Sequence, residues 1–261
     1  MTKSTKTNNA PDIPEMSFWD HLEVLRGTLF RSVLYLCAFS ALGLIFKQEL
    51  FDIILAPAGR DFCIYRMLGW DFSMQLVNIE VSAQFFVHLR ASFAVGLVLS
   101  FPLIIYELWR FVAPALYPGE KKVIRLGFVL ASLLFYLGVL VAYFIVLPVC
   151  LQFFINYSID PEIANTITIG SYMSVFTSTV LLIGLTFEFP TVALVLSRLG
   201  IVSPEMLRKG RKIAFVLVLA LSAFITPADP VSMFVLAIPL YLLYEFSILL
   251  CKSPKSPKDT Q

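Results

Sequence analysis

Long stretches without a single charged residue limit the folds that this chain can adopt. The longest lies between Arg125 and Asp160 and holds 34 uncharged residues, and another of 25 lies between Glu162 and Glu188. Across the chain 58% of residues are hydrophobic and 15% are charged, against about 25% charged residues in ordinary soluble domains. That much apolar surface exceeds what one globular core of this size hides from water. The composition therefore excludes a soluble enzyme, a nucleic-acid-binding protein and a disordered protein, and it indicates a protein of the lipid bilayer.

The uncharged stretches predict membrane-spanning helices, because lipid offers the backbone no hydrogen-bond partner outside the helix. About 20 helical residues cross about 30 Å of hydrocarbon. We predict an all-α protein with one six-helix membrane domain over residues 16–250, a disordered segment at 1–15 and a disordered basic tail at 251–261. The fifth span is short, which favours a locally thinned bilayer or a funnel-shaped protein. The predicted spans are residues 28–47, 86–108, 124–148, 171–198, 212–226 and 230–250.

The positions of lysine and arginine predict the orientation in the membrane. Six spans place both termini on one side, and that side receives 16 of the 20 basic residues, whereas the other side holds eight carboxylates. Since cytoplasmic loops carry the excess of Lys and Arg, we expect both termini to be cytoplasmic. Residues 1–15 lack the apolar core of a cleavable signal peptide. Cys63 and Cys150 fall on the same outer side, so a disulfide between them stays open.

Residues 16–29 predict an amphipathic helix that lies on the membrane surface before the first span. Its apolar residues follow the spacing i, i+4, i+7 and i+11. Glu23 and Arg26 lie off this stripe, close enough to pair with each other. The simplest interpretation is an anchoring helix with a solvated charged face. The stripe consists of Phe18, Leu22, Leu25 and Leu29.

A second informative segment, YELWRFVAPALYPGEKK, covers residues 106–122 and joins the second and third predicted spans on the cytoplasmic side. Pro114 and the pair Pro118–Gly119 predict an ordered turn here in place of a continuing helix. Glu120 either balances the charge of the two lysines that follow it, or offers a carboxylate that binds a guanidinium group in a bidentate manner.

Two further motifs place carboxylates within or between the predicted spans. In FEFP, residues 187–190, Glu188 lies inside the fourth span, and Pro190 frees a backbone carbonyl and can kink the helix. An ionisable group at that depth is costly, so Glu188 should either bond to a neighbouring helix or face a polar hollow used in function. In TPADP, residues 226–230, the prolines predict a tight outer turn, and chemistry alone gives Asp229 a structural role.

In these segments the sequence resembles TatC, the polytopic core subunit of the twin-arginine protein translocase. The loop at 106–122 is the most specific match, and the matching pieces follow the family order from about residue 16 to residue 250. The resemblance implies six helices with both ends cytoplasmic, arranged as a concave cup within the bilayer. The matching pieces are FWDHLEVLR (18–26), LAPAG (55–59), YELWRFVAPALYPGEKK (106–122), FEFP (187–190), SPEMLRKGR (203–211), TPADP (226–230) and AIPLYLLYE (237–245).

The function that this resemblance implies is that of a receptor in the bacterial inner membrane, with no cofactor, no catalytic residue and no nucleic acid. Proteins of this family bind signal peptides with two consecutive arginines at the cytoplasmic face and drive the export of folded proteins with the proton-motive force. Their partners are single-span subunits of the TatA and TatB type, and self-association in a receptor complex is expected. The residues implied for signal binding are Glu120, Glu23, Arg26, Leu29 and Phe111.

One position departs from the family pattern. That pattern commonly runs His-Leu-Glu-Glu-Leu-Arg, and its second Glu is tied to signal recognition, but here Val24 stands at that place and Glu23 is the remaining carboxylate. One residue along a helix is a rotation of about 100°, so Glu23 is expected to point elsewhere unless the helix turns or the loop adapts. The resemblance gives Glu107 no specific role. It implies a functional intramembrane carboxylate at Glu188, and roles in structure or assembly for Pro57, Pro102, Pro190 and Asp229.

The main alternative is an ion- or proton-coupled transporter of small solutes, which would also need intramembrane carboxylates such as Glu188. The sequence shows no matching pair of broken spans of the kind that such transporters use. An intramembrane enzyme is disfavoured, because the motifs HExxH and G-x-S-x-G and Cys/His metal spacings do not occur. GxxxG does not occur either, so the sequence indicates no dimer face.

Overall fold

Long helices make up most of the molecule. The computed structural model describes residues 18–70, 74–116, 121–158, 160, 166–198, 200–226 and 230–251. Its helices are α1 (Phe18–Ile45), α2 (Lys47–Leu55), α3 (Cys63–Leu68), α4 (Ala83–Leu116), α5 (Lys121–Val141), α6 (Leu147–Asn156), α7 (Ile169–Thr186), α8 (Phe189–Arg198), α9 (Pro204–Lys209), α10 (Arg211–Ile225) and α11 (Pro230–Leu250). Its strands are β1 (Leu76–Val77) and β2 (Ile167–Thr168).

Five helical segments in the described part of the chain are long and apolar enough to cross a membrane. The third joins α5 to α6 through a π-helical turn, and the fourth joins α7 to α8. α10 covers the predicted fifth span but has only 15 residues. The fold is therefore all-α and polytopic. The five segments are Leu22–Ile45, Ala83–Val112, Gly127–Asn156, Ile169–Ser197 and Pro230–Leu250.

The helix boundaries differ from the sequence prediction in two places. α1 is continuous, so the surface helix predicted at 16–29 and the span predicted at 28–47 form one helix from residue 18 to residue 45. No proline interrupts this segment, and Arg26 and Arg31 can keep their charged ends in water while the helix continues. α4 runs through Pro114 to Leu116, so the predicted turn does not begin at Pro114.

α1 and α4 pack against each other as antiparallel helices. Their closest approach involves small residues, because a methyl group on Gly96 would lie 2.7 Å from the backbone nitrogen of Ser40. Gly43 likewise faces the backbone of Ser92. Small residues of this kind allow helix backbones to approach closely within a membrane. The start of α1 and the end of α4 therefore lie side by side at one end of the pair.

The segments at the other end of this pair are held by backbone and side-chain hydrogen bonds. β1 pairs in parallel with β2, which joins the chain before α4 to the chain before α7. Tyr143 donates to the carbonyl oxygen of Ile53 at 2.7 Å, and Tyr172 donates to that of Ile54 at 2.5 Å. These carbonyls belong to the last turn of α2, where intrahelical partners are missing. No disulfide joins Cys63 to Cys150, both of which lie in the described part of the chain, so the pairing left open by the sequence is absent here.

Candidate functional site

A polar pocket of about 430 Å³ lies between the start of α1 and the end of α4. Its α1 side repeats every four residues, at Glu23, Gly27 and Arg31, and positions with this spacing share one helix face. Gly27 has no side chain, so the groove between the acidic and the basic residue stays open. The full lining is Glu23, Val24, Gly27, Thr28, Arg31, Arg110 and Phe111.

An ion pair between the two helices lies at this pocket, and its arginine, Arg31, is part of the lining. Nε of Arg31 donates to Oε2 of Glu107 at 2.9 Å, and Nη2 of Arg31 lies 2.8 Å from the same oxygen. The Glu107 side chain is only 4% exposed, whereas that of Arg31 is 42% exposed. The carboxylate is thus buried between the helices, and the guanidinium group covers it from the pocket side.

Glu23 lies in the pocket despite the substitution at Val24. Both residues line it, because the pocket is wide enough to take in adjacent positions of α1. The direction expected for the Glu23 carboxylate stays a prediction, and its place in the lining keeps it a candidate for the site. Glu23 forms no ion pair with any described residue, so the predicted pairing with Arg26 is not formed either.

The structure brings together only part of the predicted signal-binding set. Glu23 and Phe111 line the same pocket, whereas Arg26 and Leu29 are exposed on α1 outside its lining. Leu29 is 64% exposed, and Leu22 and Leu25 of the predicted apolar stripe are exposed as well, which suits a surface in contact with lipid. Glu120 lies outside the described residues, and so does Asp229.

Glu188 lies where the fourth membrane-crossing segment is interrupted. α7 ends at Thr186 and α8 begins at Phe189, so the helix is interrupted just before Pro190, where the sequence analysis expects that a kink can form. Pro190 has no N–H group to donate to the carbonyl of Thr186, four residues earlier. Glu188 is 9% exposed, and its Oε1 has no hydrogen-bond partner among the described residues. The carboxyl group is therefore buried at membrane depth without full hydrogen bonding.

At two of the prolines with a predicted structural role, a tyrosine hydroxyl group donates a hydrogen bond to a nearby backbone carbonyl. Pro102 lies inside α4 and cannot donate to the carbonyl of Val98, and Tyr136 of α5 donates to that carbonyl instead, at 3.3 Å. Pro57 is buried in a short 3-10 turn before α3, and Tyr65 donates to its carbonyl at 2.8 Å. Burial raises the pKa of the Tyr65 phenol above its ordinary value, so this hydroxyl stays a donor.

Arg31 and Glu107 are the residues of this site that the sequence did not reveal. They are 76 positions apart, and each stands at the edge of an uncharged stretch, where a charge is normally explained by contact with water. The signal in the sequence was the eight-residue spacing from Glu23 to Arg31, with Gly27 midway between them, which places all three on one helix face. The pairing itself needed the antiparallel register of α1 and α4.

Comparison with known proteins gives a consistent result. The family model described as "Sec-independent protein translocase protein (TatC)" matches residues 20–239. The TatC protein of Blattabacterium is 36% identical over 250 residues, covering 90% of this chain and 94% of that protein. The TatC protein of Escherichia coli K12 is 33% identical over 229 residues, covering 87% of this chain and 85% of that protein.

Solved structures resemble the fold as well. One described as "Crystal Structure of Twin Arginine Translocase Receptor- TatC" has a TM-score of 0.72 and 34% identity, covering 88% of this chain and 97% of that chain. A second, of the same receptor in the detergent DDM, has a TM-score of 0.75 and 33% identity, covering 89% and 99%.

The fold and the pocket define a polytopic helical membrane protein with a charged recess at one end of its first two long helices. With these matches, the chain belongs to the TatC family of Sec-independent, twin-arginine protein translocases. Family membership favours protein translocation over the transport of small solutes.

Proposed function

We propose that this chain is the receptor subunit of a twin-arginine translocase and that it binds twin-arginine signal peptides in the pocket between α1 and α4. The observation that supports this most directly is that Glu23, an exposed residue with a carboxylate, lines the same pocket as the aromatic residue Phe111. A guanidinium group is always charged, forms forked hydrogen bonds to a carboxylate and stacks on an aromatic face. A pocket with these two groups can therefore recognise arginine.

The second carboxylate of the receptor site is Glu120. It follows the last residue of α4 by four positions and comes directly before the start of α5 at Lys121. Glu120 is therefore close in sequence to the end of α4, the helix that contributes Arg110 and Phe111 to the pocket. Two arginines in the signal call for two acidic partners, and Glu23 and Glu120 supply one each in this proposal.

The proposal also includes the membrane, the orientation and the partners of the receptor. α10 is the fifth of six spans, both termini are cytoplasmic, and the protein lies in the bacterial inner membrane. The pocket then opens to the cytoplasm, where a signal peptide arrives before export. Single-span subunits of the TatA and TatB type complete the translocase, the receptor self-associates, and the proton-motive force drives transport of the folded cargo.

Equilibrium binding of a twin-Arg signal peptide and its twin-Lys version to detergent-solubilised protein tests the proposal. We expect the wild type to prefer arginine, and Glu23→Ala and Glu120→Ala each to weaken twin-Arg binding by about 1.5–3 kcal/mol, the worth of a charge-assisted hydrogen bond. Glu205→Ala is the matched control, since Glu205 is an exposed carboxylate of α9, outside the pocket lining.

Three outcomes separate the parts of this proposal. Loss of arginine preference in both glutamate variants, with the Glu205 control unchanged, supports the complete site. Loss in Glu120→Ala alone keeps the receptor and removes Glu23 from it. Equal binding of the twin-Arg and twin-Lys peptides by the wild type would contradict the receptor proposal for this subunit on its own.

A further inference from the structure

A buried carboxylate, Glu107, is already bound by an arginine of the pocket lining, and that arginine belongs to the protein itself. Glu107 is 3% exposed. Nε of Arg31 donates a hydrogen bond to Oε2 of Glu107, and Nη2 of Arg31 forms an ion pair with the same oxygen. Arg31 is half-exposed and lines the pocket. The contact thus has the chemistry that the proposed ligand needs, an arginine on a carboxylate, formed within the chain.

We propose that Arg31 is an internal substitute for one arginine of the signal peptide, and that Glu107 is a carboxylate of the signal-binding site that the peptide reaches by displacing Arg31. This inference rests on the proposed receptor function and deepens it. It names an acidic partner that neither the family pattern nor the sequence assigns, in a chain where the usual carboxylate is replaced by Val24.

Displacement of Arg31 leaves the buried Glu107 carboxylate with a charge partner only if the peptide supplies another cation. Breaking a buried ion pair by removing one partner leaves an uncompensated charge and is strongly destabilising. A peptide arginine offers the same planar donors as Arg31, so the pairing of Glu107 is kept, while the displaced Arg31 side chain turns from the pocket wall into water. A lysine presents a compact point charge without the fork, so it replaces Arg31 less well.

The positions of the two carboxylates suit two neighbouring arginines. Glu107 lies at the level of Arg31, which follows Glu23 by eight residues, or about 12 Å along the helix axis. Consecutive residues of an extended peptide point to opposite sides, so their two charged ends reach partners that lie apart. One arginine on Glu23 and the next on Glu107 satisfies this geometry within one pocket.

The alternative is that the Arg31–Glu107 pair only holds α1 against α4. The two possibilities predict opposite signs for one variant. If the pair is purely structural, Arg31→Gln loosens the helix pair and binding weakens or stays the same. If Arg31 competes with the peptide, Arg31→Gln exposes Glu107 to the ligand and binding of the twin-Arg peptide tightens.

The test is equilibrium binding of the twin-Arg and twin-Lys signal peptides to the full-length detergent-solubilised protein and its variants. We expect Arg31→Gln to tighten twin-Arg binding by about tenfold, the scale of one charge-assisted hydrogen bond, and to raise the Arg-over-Lys affinity ratio. Glu107→Gln should weaken twin-Arg binding and lower that ratio. The double variant Arg31→Gln/Glu107→Gln, in which a neutral polar pair replaces the ion pair, should behave like Glu107→Gln.

Arg110→Gln is the matched control for charge. Arg110 lines the same pocket and makes no ion pair with a described residue. Its removal lowers the positive charge near the ligand by the same amount, so it should tighten the twin-Arg and twin-Lys peptides alike and leave their ratio unchanged. A higher ratio in Arg31→Gln but not in Arg110→Gln supports displacement at Glu107.

The results also separate this inference from the receptor proposal. A wild type without arginine preference contradicts the receptor proposal itself. A wild type that prefers arginine, together with an unchanged or lower ratio in Arg31→Gln, overturns the inference alone, and so does a double variant that binds as tightly as Arg31→Gln. If Arg31→Gln does not fold, Arg31→Lys is measured in its place. Lysine keeps the positive charge but lacks the forked donors of arginine, so a peptide guanidinium group displaces it more easily from Glu107. An Arg-over-Lys affinity ratio that does not rise in Arg31→Lys overturns the inference.

Discussion

Pro102 interrupts the hydrogen bonds of α4 within a membrane-crossing segment, and a tyrosine from α5 compensates for the gap. The proline leaves the carbonyl of Val98 without its helical donor, and the hydroxyl of Tyr136 donates to it at 3.3 Å. In lipid no water can take that place. The role of Pro102 is therefore tied to a single hydroxyl group on the neighbouring helix.

We expect Tyr136→Phe to lower the free energy of unfolding by about 1 kcal/mol, because it leaves the Val98 carbonyl without a donor. Unfolding with increasing SDS in mixed micelles measures this. Tyr35→Phe is the control, since the Tyr35 hydroxyl has no hydrogen bond to a described residue. In a Pro102→Ala background the effect of Tyr136→Phe should shrink, because residue 102 then supplies the donor; an undiminished effect would contradict this account.

Glu188 presents the opposite case, a buried polar group without a full set of partners. Its Oε1 lacks a hydrogen bond among the described residues, and it stands at the break between α7 and α8. Ionisable groups at such depth usually mark a pathway or a working site. The pocket between α1 and α4 does not include Glu188, so the proposed binding site and this carboxyl group are separate features of the molecule.

From that separation we expect Glu188→Gln to leave the affinity for a twin-Arg peptide unchanged and to slow the export of a folded cargo protein. Export is measured in cells that contain equal amounts of the wild type and the variant, with Glu205→Gln as the control. Normal export by Glu188→Gln would show that the carboxyl group has a structural role only.

At the scale of helices, the contact between α1 and α4 determines the shape of the pocket. Gly96 of α4 packs closely against Ser40 of α1 near one end of the contact. The ion pair between Arg31 and Glu107 lies towards the other end. Because the helices are rigid between these points, a change of spacing at Gly96 is transmitted to the pocket.

We expect Gly96→Ala to destabilise the protein by about 1–3 kcal/mol, the usual cost of overpacking a close contact, and to weaken twin-Arg binding as the pocket widens. The melting temperature in detergent and the peptide affinity measure the two effects. Gly170→Ala is the control, since the nearest atom to a methyl group there is 4.0 Å away. A variant with wild-type stability and affinity would show that α1 and α4 separate without consequence for the site.

The sequence predicts the helices better than it predicts their ends and contacts. Uncharged stretches identify the apolar helices, because lipid leaves the chain no other regular structure. The predicted end of the surface helix at residue 29 is wrong, since α1 continues from residue 18 to residue 45 and charged residues such as Arg26 do not stop it. For the site, Glu23 and Phe111 are recognisable from local motifs, whereas the pairing of Arg31 with Glu107 depends on a register that no local pattern contains.

At the scale of the whole molecule, the last two helices form a hairpin in which α10 is shorter than the hydrocarbon core of a bilayer is thick. α10 has 15 residues and is about 22 Å long, less than the roughly 30 Å of the hydrocarbon core. Arg211 at its start bonds to Glu245 near the end of α11 at 2.8 Å, and this half-exposed pair suits the membrane surface. With that end fixed at the surface, the missing length falls at the opposite end of α10, near Ile225.

Orientation decides whether the pocket faces the side from which signal peptides arrive. Cys63 is exposed at the start of α3, beyond the end of α1 that lies opposite the pocket. Cys150 and Cys251 are buried, and Cys37 lies within a membrane-crossing segment. Cys63 is thus a natural reporter for the side of the membrane that carries the loop between α1 and α4.

We expect a membrane-impermeant maleimide added to intact spheroplasts to label the wild type and not Cys63→Ser, because cytoplasmic termini place this loop outside. In a Cys63→Ser background, Glu205→Cys should react only after the membrane is opened, since the proposed topology places α9 on the basic, cytoplasmic side. The reverse pattern would turn the pocket towards the outer face. An outward pocket cannot receive a signal peptide before transport, so the receptor proposal depends on this labelling result as much as on the chemistry of Glu23.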